Sequence, residues 1–303
     1  MAVNNTIQLR EDFVSILDEV YKEGSKSSVL DSATGLERLP SGEFQVPVIT
    51  LDGLADHSRA NGGQYVDGDT NLEYKSYEPT YDRNRKFTVD VRDDIETGDV
   101  AFGRLAGAFI REKVTPEVDA VRFAAYAQKA GNKAYGTIGA ASTFITAIEA
   151  ATNTLDDAEV PEEGRILFAT PALINSLLAL DTYKSKELIA NFSQVIKVPK
   201  SRFYEFIKLN DGKTSGQTAG GYVQTDDGNT HGKQSRNINF LIVHPSAVIQ
   251  DIRHEAPKHI PAAANQNADG DSFAYRIAGV EEVFFNKTAG IYAHLTGTTP
   301  ATE

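Results

Sequence analysis

The longest helical signal in the chain spans residues 99 to 131, and any fold must be built around it. Gly98 and Asp99 mark a start. Leu105, Phe109, Ile110 and Val114 follow at helical spacing, and Val118, Val121 and Ala125 continue the same stripe. Thr115 and Pro116 interrupt it with what reads as a fresh N-cap and first-turn proline. The spacing therefore predicts one long kinked helix or two helices end to end, closed by Gly131. Ala101, Gly103, Ala106, Gly107 and Ala108 would let another backbone approach closely.

Two stretches have no evident core of their own. Residues 7 to 22 carry Leu9, Phe13, Ile16, Leu17 and Val20 on one helical face, and Gly24 with the run SKSS ends the stripe. Such a helix packs on its own core or docks as an arm on a neighbouring chain. FQVPVITL is a short strand interrupted by Pro47. Beyond it, YEPTY and KFTVDV alternate around the turn residues DRNR, with Phe87, Val89 and Val91 facing one way. A two-stranded ribbon over residues 60 to 94 is expected. It is too poor in apolar residues to stand alone, because an isolated hairpin is marginal in water.

The second half reads as α/β. The strand RILFAT leads into the helix PALINSLLALD, and INFLIV leads through His244 and Pro245 into an expected helix, SAVIQDIRHEA. QVIKVP is strand-like, residues 210 to 236 form a polar, Gly-rich loop, and SFAYRIAGVEEVFFNKTAGIYAHL returns to strand character. The tail TGTTPATE is expected to fray.

Composition narrows the function. The chain of 303 residues has no Cys, which excludes disulfides, Cys-based zinc sites and thiol nucleophiles. Its net charge of −12 argues against nucleic-acid binding through a broad basic face. No run of apolar residues is long enough to span a membrane, and the N-terminus shows no signal-peptide pattern.

Chemical motifs fail on spacing. His244, His254 and His259 suggest a metal site, but HEAPKH has one residue too many for H-E-x-x-H. His244 fits a cap or turn residue, and Pro257 should break the expected helix before His259. Asp67, Asp69, Asn71 and Glu78 match positions of a calcium loop, yet Leu72 stands where its sharp turn needs Gly. Gly212-Lys213-Thr214 ends like a phosphate loop whose first Gly is replaced by Ile207. No catalytic, cofactor or metal residues are assigned, and the chain is not expected to be an enzyme.

Five stretches, in order, resemble tailed-bacteriophage major capsid proteins. VTPEVDAVRFAAYA (114 to 127) is similar to the second half of their long spine helix, KFTVDVRDDIETGD to the end of their extended loop, and LDEVYKEGSKSSVLDS to their N-terminal arm. NFLIVHPSAVIQDIRHEAPKHI and YRIAGVEEVFFNKTAGIYAH resemble the axial (capsomer-centre) domain and the closing strands of the peripheral domain. The resemblance implies an α+β chain of the HK-ninety-seven type. Its parts would be an arm at 1–38, peripheral segments at 39–59, 95–162 (with the spine helix) and 257–303, an extended loop at 60–94 and an axial domain at 163–256. It also implies a coat protein forming pentamers and hexamers of an icosahedral shell around double-stranded DNA, located in the virion after assembly in the host cytoplasm. DNA would be packaged without sequence-specific binding, and no membrane is involved. The expected inter-subunit contacts are Leu9, Phe13, Leu17, Tyr74, Lys75, Tyr77 and Phe87.

Some members of that family join a Lys to a neighbour's Asn. Lys75 or Lys86 with Asn286 would be the candidates here, but no activating carboxylate is evident and no cross-link is expected. The arm-like helix begins by Ile7, so a separate scaffolding protein is expected besides a portal. Rival readings are an encapsulin-like compartment shell, a soluble oligomeric binding protein, and a metal-dependent hydrolase using the three histidines.

Overall fold

The computed structural model describes residues 24–31, 44–56, 65–92, 105–180, 182–215, 220–226 and 235–298. The strands are β1 (Phe44–Leu51), β2 (Thr70–Tyr77), β3 (Tyr81–Asp90), β4 (Asn132–Tyr135), β5 (Ile166–Ala169), β6 (Gln194–Lys197), β7 (Ile207–Leu209), β8 (Tyr222–Gln224), β9 (Ile238–Val243), β10 (Val248–Ile260), β11 (Gly270–Val283) and β12 (Ile291–Leu295). The long helix α1 comprises Leu105–Phe109, a π-helical stretch Ile110–Val114, and Thr115–Lys129. Helices α2 (Ala141–Asp157), α3 (Pro171–Ala179) and α4 (Tyr183–Ala190) follow.

A five-stranded sheet, ordered β4-β12-β9-β5-β6, forms the centre. Its inner strands β12, β9 and β5 are apolar at nearly every position because both faces are covered. On one face Ile166, Phe168, Leu241, Val243, Ile291 and Ala293 pack against Phe123, Tyr126 and Ala127 of α1. On the other, Leu167, Ala169, Phe240, Ile242 and Tyr292 meet α2, α3 and α4 through residues such as Phe144, Ile148, Ile174 and Leu188. Alternate residues of one strand thus serve opposite layers. The predicted strand–helix pair RILFAT–PALINSLLALD is present as β5 and α3.

The step in α1 at Thr115–Pro116 is absorbed without breaking the helix. A proline inside a helix has no N–H and crowds the preceding turn. Here the backbone widens to a π turn, and both N–H and Oγ1 of Thr115 donate to the Ile110 carbonyl. The C-terminal stop is steric as well as conformational. Gly131 donates to Thr288 O at 2.9 Å, and a Cβ there would lie 2.7 Å from the same carbonyl.

Two expectations are overturned. SAVIQDIRHEA is not a helix: after one 3-10 turn at Pro245–Ala247, the chain runs extended as β10 and pairs with β11 from Val248↔Val283 to Ile260↔Ser272. Ile249 is buried while Ile252, the end of the supposed helical stripe, is exposed. The partner strand, distant in sequence, outweighs local propensity. Pro257 breaks nothing, because β10 is an edge strand in the order β10-β11-β3, where a missing N–H can face outward.

The ribbon is also paired differently. β2 pairs with β1, through Pro47 without interruption, whereas β3 pairs with β11 along Asp90↔Gly270 to Tyr81↔Gly279. The residues DRNR are not a turn; they lie inside β3. Tyr81 and Val89 are buried, and Phe87 packs edge-on against Phe109 at 4.9 Å. β3 is thus a strand of the chain's own core, lying under the first half of α1. The loop 210–236 contains β8, which pairs with β7. The division expected at 256 falls within β10.

Candidate assembly surfaces

The true ribbon, β1–β2, has two unlike faces because side chains alternate along a strand. The pairs Pro47↔Tyr74, Ile49↔Leu72 and Leu51↔Thr70 share one face. Ile49 is 57%, Leu51 65%, Leu72 53% and Tyr74 58% exposed. Four large apolar side chains thus lie open side by side, with Tyr65 and Val66 exposed in the connecting segment. A patch of this kind marks an interaction surface. The other face, with Val48↔Glu73 and Thr50↔Asn71, is more polar.

The root of the ribbon is fixed to the body. Tyr77 is buried with Ile249, Val280, Val46 and Phe284, and its hydroxyl accepts from the Phe285 N–H at 3.3 Å. Lys75 pairs with Glu73 at 2.8 Å, and its Nζ lies 4.9 Å from the centre of the Phe285 ring. Of the contacts expected between subunits, Tyr74 lies on the open face. Tyr77 and Phe87 pack within their own chain, and Lys75 sits at the root. Leu9, Phe13 and Leu17 lie outside the described residues.

A second feature fixes the start of the described chain. Residues 25–31 lie in a polar socket on α1. Asp119 is fully buried, and its carboxylate accepts from Ser25 Oγ (2.7 Å), Lys26 N (2.9 Å), Ser27 N (3.3 Å), Ser27 Oγ (2.6 Å) and Arg202 Nη1 (2.9 Å). Gln250 donates to Ser27 O at 3.0 Å and to the Asp31 carboxylate, and accepts from the Tyr126 hydroxyl at 2.7 Å. Beside them Arg122 reaches Glu281 through Nε at 3.1 Å and Ser27 Oγ through Nη1 at 3.1 Å. Burial pushes the Glu281 carboxyl up to about 7 despite the adjacent guanidinium. Burial likewise raises the Tyr126 hydroxyl. Sequence reasoning overlooked this socket. The signal was present in VDAVRFAAYA: Asp119 and Arg122 lie three apart in a helical run buried on every side, where charges must be paired.

The histidines are not brought together. His244 caps the 3-10 turn, as its position before Pro245 suggested: Nδ1 accepts from Ser246 N at 3.3 Å, and Nε2 lies 3.1 Å from Glu163 O. His254 and His259 lie on the extended β10, five positions and so about 16 Å apart, on opposite faces. His259 Nε2 is 3.5 Å from Asp271. Among the described residues no cluster of metal-ligating side chains forms. Asp69 and Asn71 flank the start of β2, where an extended backbone cannot wrap a cation. Asp211 bonds the Lys213 and Thr214 amides and the Thr214 hydroxyl, a closed turn that holds its carboxyl down to about 2.

No family model and no curated protein matches the chain. Solved structures do. One from Mycobacterium phage Che8 aligns over 97% of this chain and 98% of its own, at TM-score 0.60 and 14% identity. The capsid of cyanophage P-SCSP1u aligns over 98% and 97%, at 0.60 and 15%. The mature capsid of bacteriophage PhiM1 aligns over 96% and 93%, at 0.64 and 12%. The chain has the fold of phage capsid structures over nearly its whole length. That fold is of the expected α+β class.

Proposed function

We propose that this chain is a major capsid protein, one that assembles into pentamers and hexamers of an icosahedral shell around a double-stranded DNA genome. The open apolar face of the β1–β2 ribbon carries the proposal, together with the capsid fold. That face has no covering layer within the described chain, and a shell supplies one on every neighbour. Many weak clasps of this kind reinforce each other by multivalency. The mechanism is one of surface burial, not turnover. The body offers a rigid sheet-and-helix frame, and the ribbon reaches out from its fixed root at Tyr77.

A two-stranded clasp sets which surfaces meet but leaves the angle between neighbours soft. A separate scaffolding protein would set the curvature, and a portal would admit DNA into the shell. The test is electron microscopy of the purified chain, alone and co-expressed with its neighbouring genes. Mixed shells, tubes and sheets are expected alone, and one size in co-expression. A chain that stays a small soluble oligomer at all concentrations would refute the capsid role. Uniform shells from the chain alone would refute the scaffolding requirement.

A further inference from the structure

Apart from Lys26 of the strap itself, which adds one positive charge, the side chains of the socket holding residues 25–31 carry more negative than positive charge. Asp31, Asp119 and Glu281 face the guanidinium groups of Arg122 and Arg202. With all five ionised, three negative charges meet two positive ones in a largely enclosed space. The deficit is not shared evenly. Asp119 accepts five hydrogen bonds, and Asp31 is half-exposed to water. Glu281 is fully buried, its Oε1 meets Arg122 at 3.1 Å and Tyr81 Oη at 3.5 Å, and its Oε2 has no hydrogen-bond partner. Arg122 is divided as well: its Nη2 makes no hydrogen bond and lies 3.5 Å from Asp31. A buried anion with one unserved oxygen is costly, and taking up a proton is the least expensive relief.

We propose that Glu281, Arg122 and Asp31 form a proton-operated latch on the strap 24–31. With Glu281 neutral, Arg122 is left to Ser27 and Asp31, and the strap is seated. When Glu281 releases its proton to solvent, the enclosed charge becomes net negative. Asp31 is the carboxylate nearest to water, so it is the one expelled, and with it go its bond to Gln250 and the hold on Ser27 O. The titratable groups facing Glu281 are Arg122 and Tyr126 from α1, Tyr81 from β3, and Asp31 from the strap itself. Both tyrosines are held neutral by burial, so neither competes for the proton in the relevant range.

The sign follows from linkage. Release removes Asp31, whose charge helps to raise the Glu281 carboxyl, so the seated state holds the proton more tightly than the released one; the seated state loses ground as pH rises toward about 7, then levels off. Hydrogen exchange of the full chain, corrected for intrinsic rates, reads this at the strap, where Leu30 N bonds Ser27 O and Asp31 N bonds Ser28 O. Opening of the strap should rise with pH by up to about tenfold per unit over that window. Glu281→Gln, neutral at every pH, should remove the slope, and Asp31→Asn should reduce it by removing the excess charge. No slope in the wild type, or a full slope retained in Glu281→Gln, would overturn the latch. If Glu281→Gln does not fold, an undiminished slope in Asp31→Asn overturns it instead.

Discussion

If the β1–β2 ribbon is a clasp, Ile49→Thr with Leu72→Thr should disable assembly and spare the subunit. The two residues are directly opposed, 57% and 53% exposed, and flanked by Leu51 and Tyr74 on the same face. Burying a whole aliphatic side chain is worth about 1.5–3 kcal/mol, so covering the half of each that is open is worth about 1 kcal/mol. Threonine keeps the strand propensity but forfeits most of that burial. The pair should therefore weaken each clasp by about 2 kcal/mol, roughly thirtyfold per contact, and the loss repeats at every copy in a shell. The subunit should change by no more than about 0.5 kcal/mol, as surface substitutions usually do. Sedimentation over a concentration series gives the assembly threshold, and thermal unfolding of unassembled chain gives the subunit's stability. Asn71→Ser on the opposite face is the control and should leave both unchanged. Assembly at the wild-type threshold would refute the clasp. A large drop in the melting temperature would show that this face supports the monomer instead.

Three further outcomes follow from the same contacts. Asp119→Ala strips four hydrogen bonds from the strap and takes the Asp119 carboxylate away from buried Arg202; strap protection in hydrogen exchange should fall by about two to four orders of magnitude, from a cost of about 3–5 kcal/mol. Gly279→Ala places a methyl 2.6 Å from the Tyr81 hydroxyl, so it should destabilise the β3–β11 pairing and lower the melting temperature, whereas Gly107→Ala, with open space around it, should not. With −12 charges per chain, assembly followed by light scattering should weaken as ionic strength falls and the screening length grows beyond about 8 Å; stronger assembly at low salt would show that specific ion pairs dominate.

Locally encoded features were legible in the sequence. The long helix, the apolar strands β5 and β9, the helix starting at Pro171 and the His244 cap each rest on neighbours in the chain, and each is where spacing placed it. An ordered set of short resemblances pointed to the capsid fold, which the structural matches share. What failed was strand partnership. VIQDIRHEA fits a helical stripe as well as a strand, and only pairing with β11, which lies 20 to 35 residues on by the register Ala256↔Arg276 to Val248↔Val283, decides between them. The partner of β2 was likewise misassigned. Alternation identifies a strand but not its neighbour, and the nearer candidate β3 was taken by β11. The charged socket depended on tertiary structure most of all. Ser27, Asp119, Arg202, Gln250 and Glu281 come from five separate parts of the chain, and nothing local requires a carboxylate at 281 to meet a guanidinium at 122. The sequence determined helix or strand where the signal is local, as in α1, β5, β9 and α3, and that some apolar surface must be left for a partner. Packing alone decided which face that is and where the buried charges meet, because both depend on residues brought together across long stretches of chain.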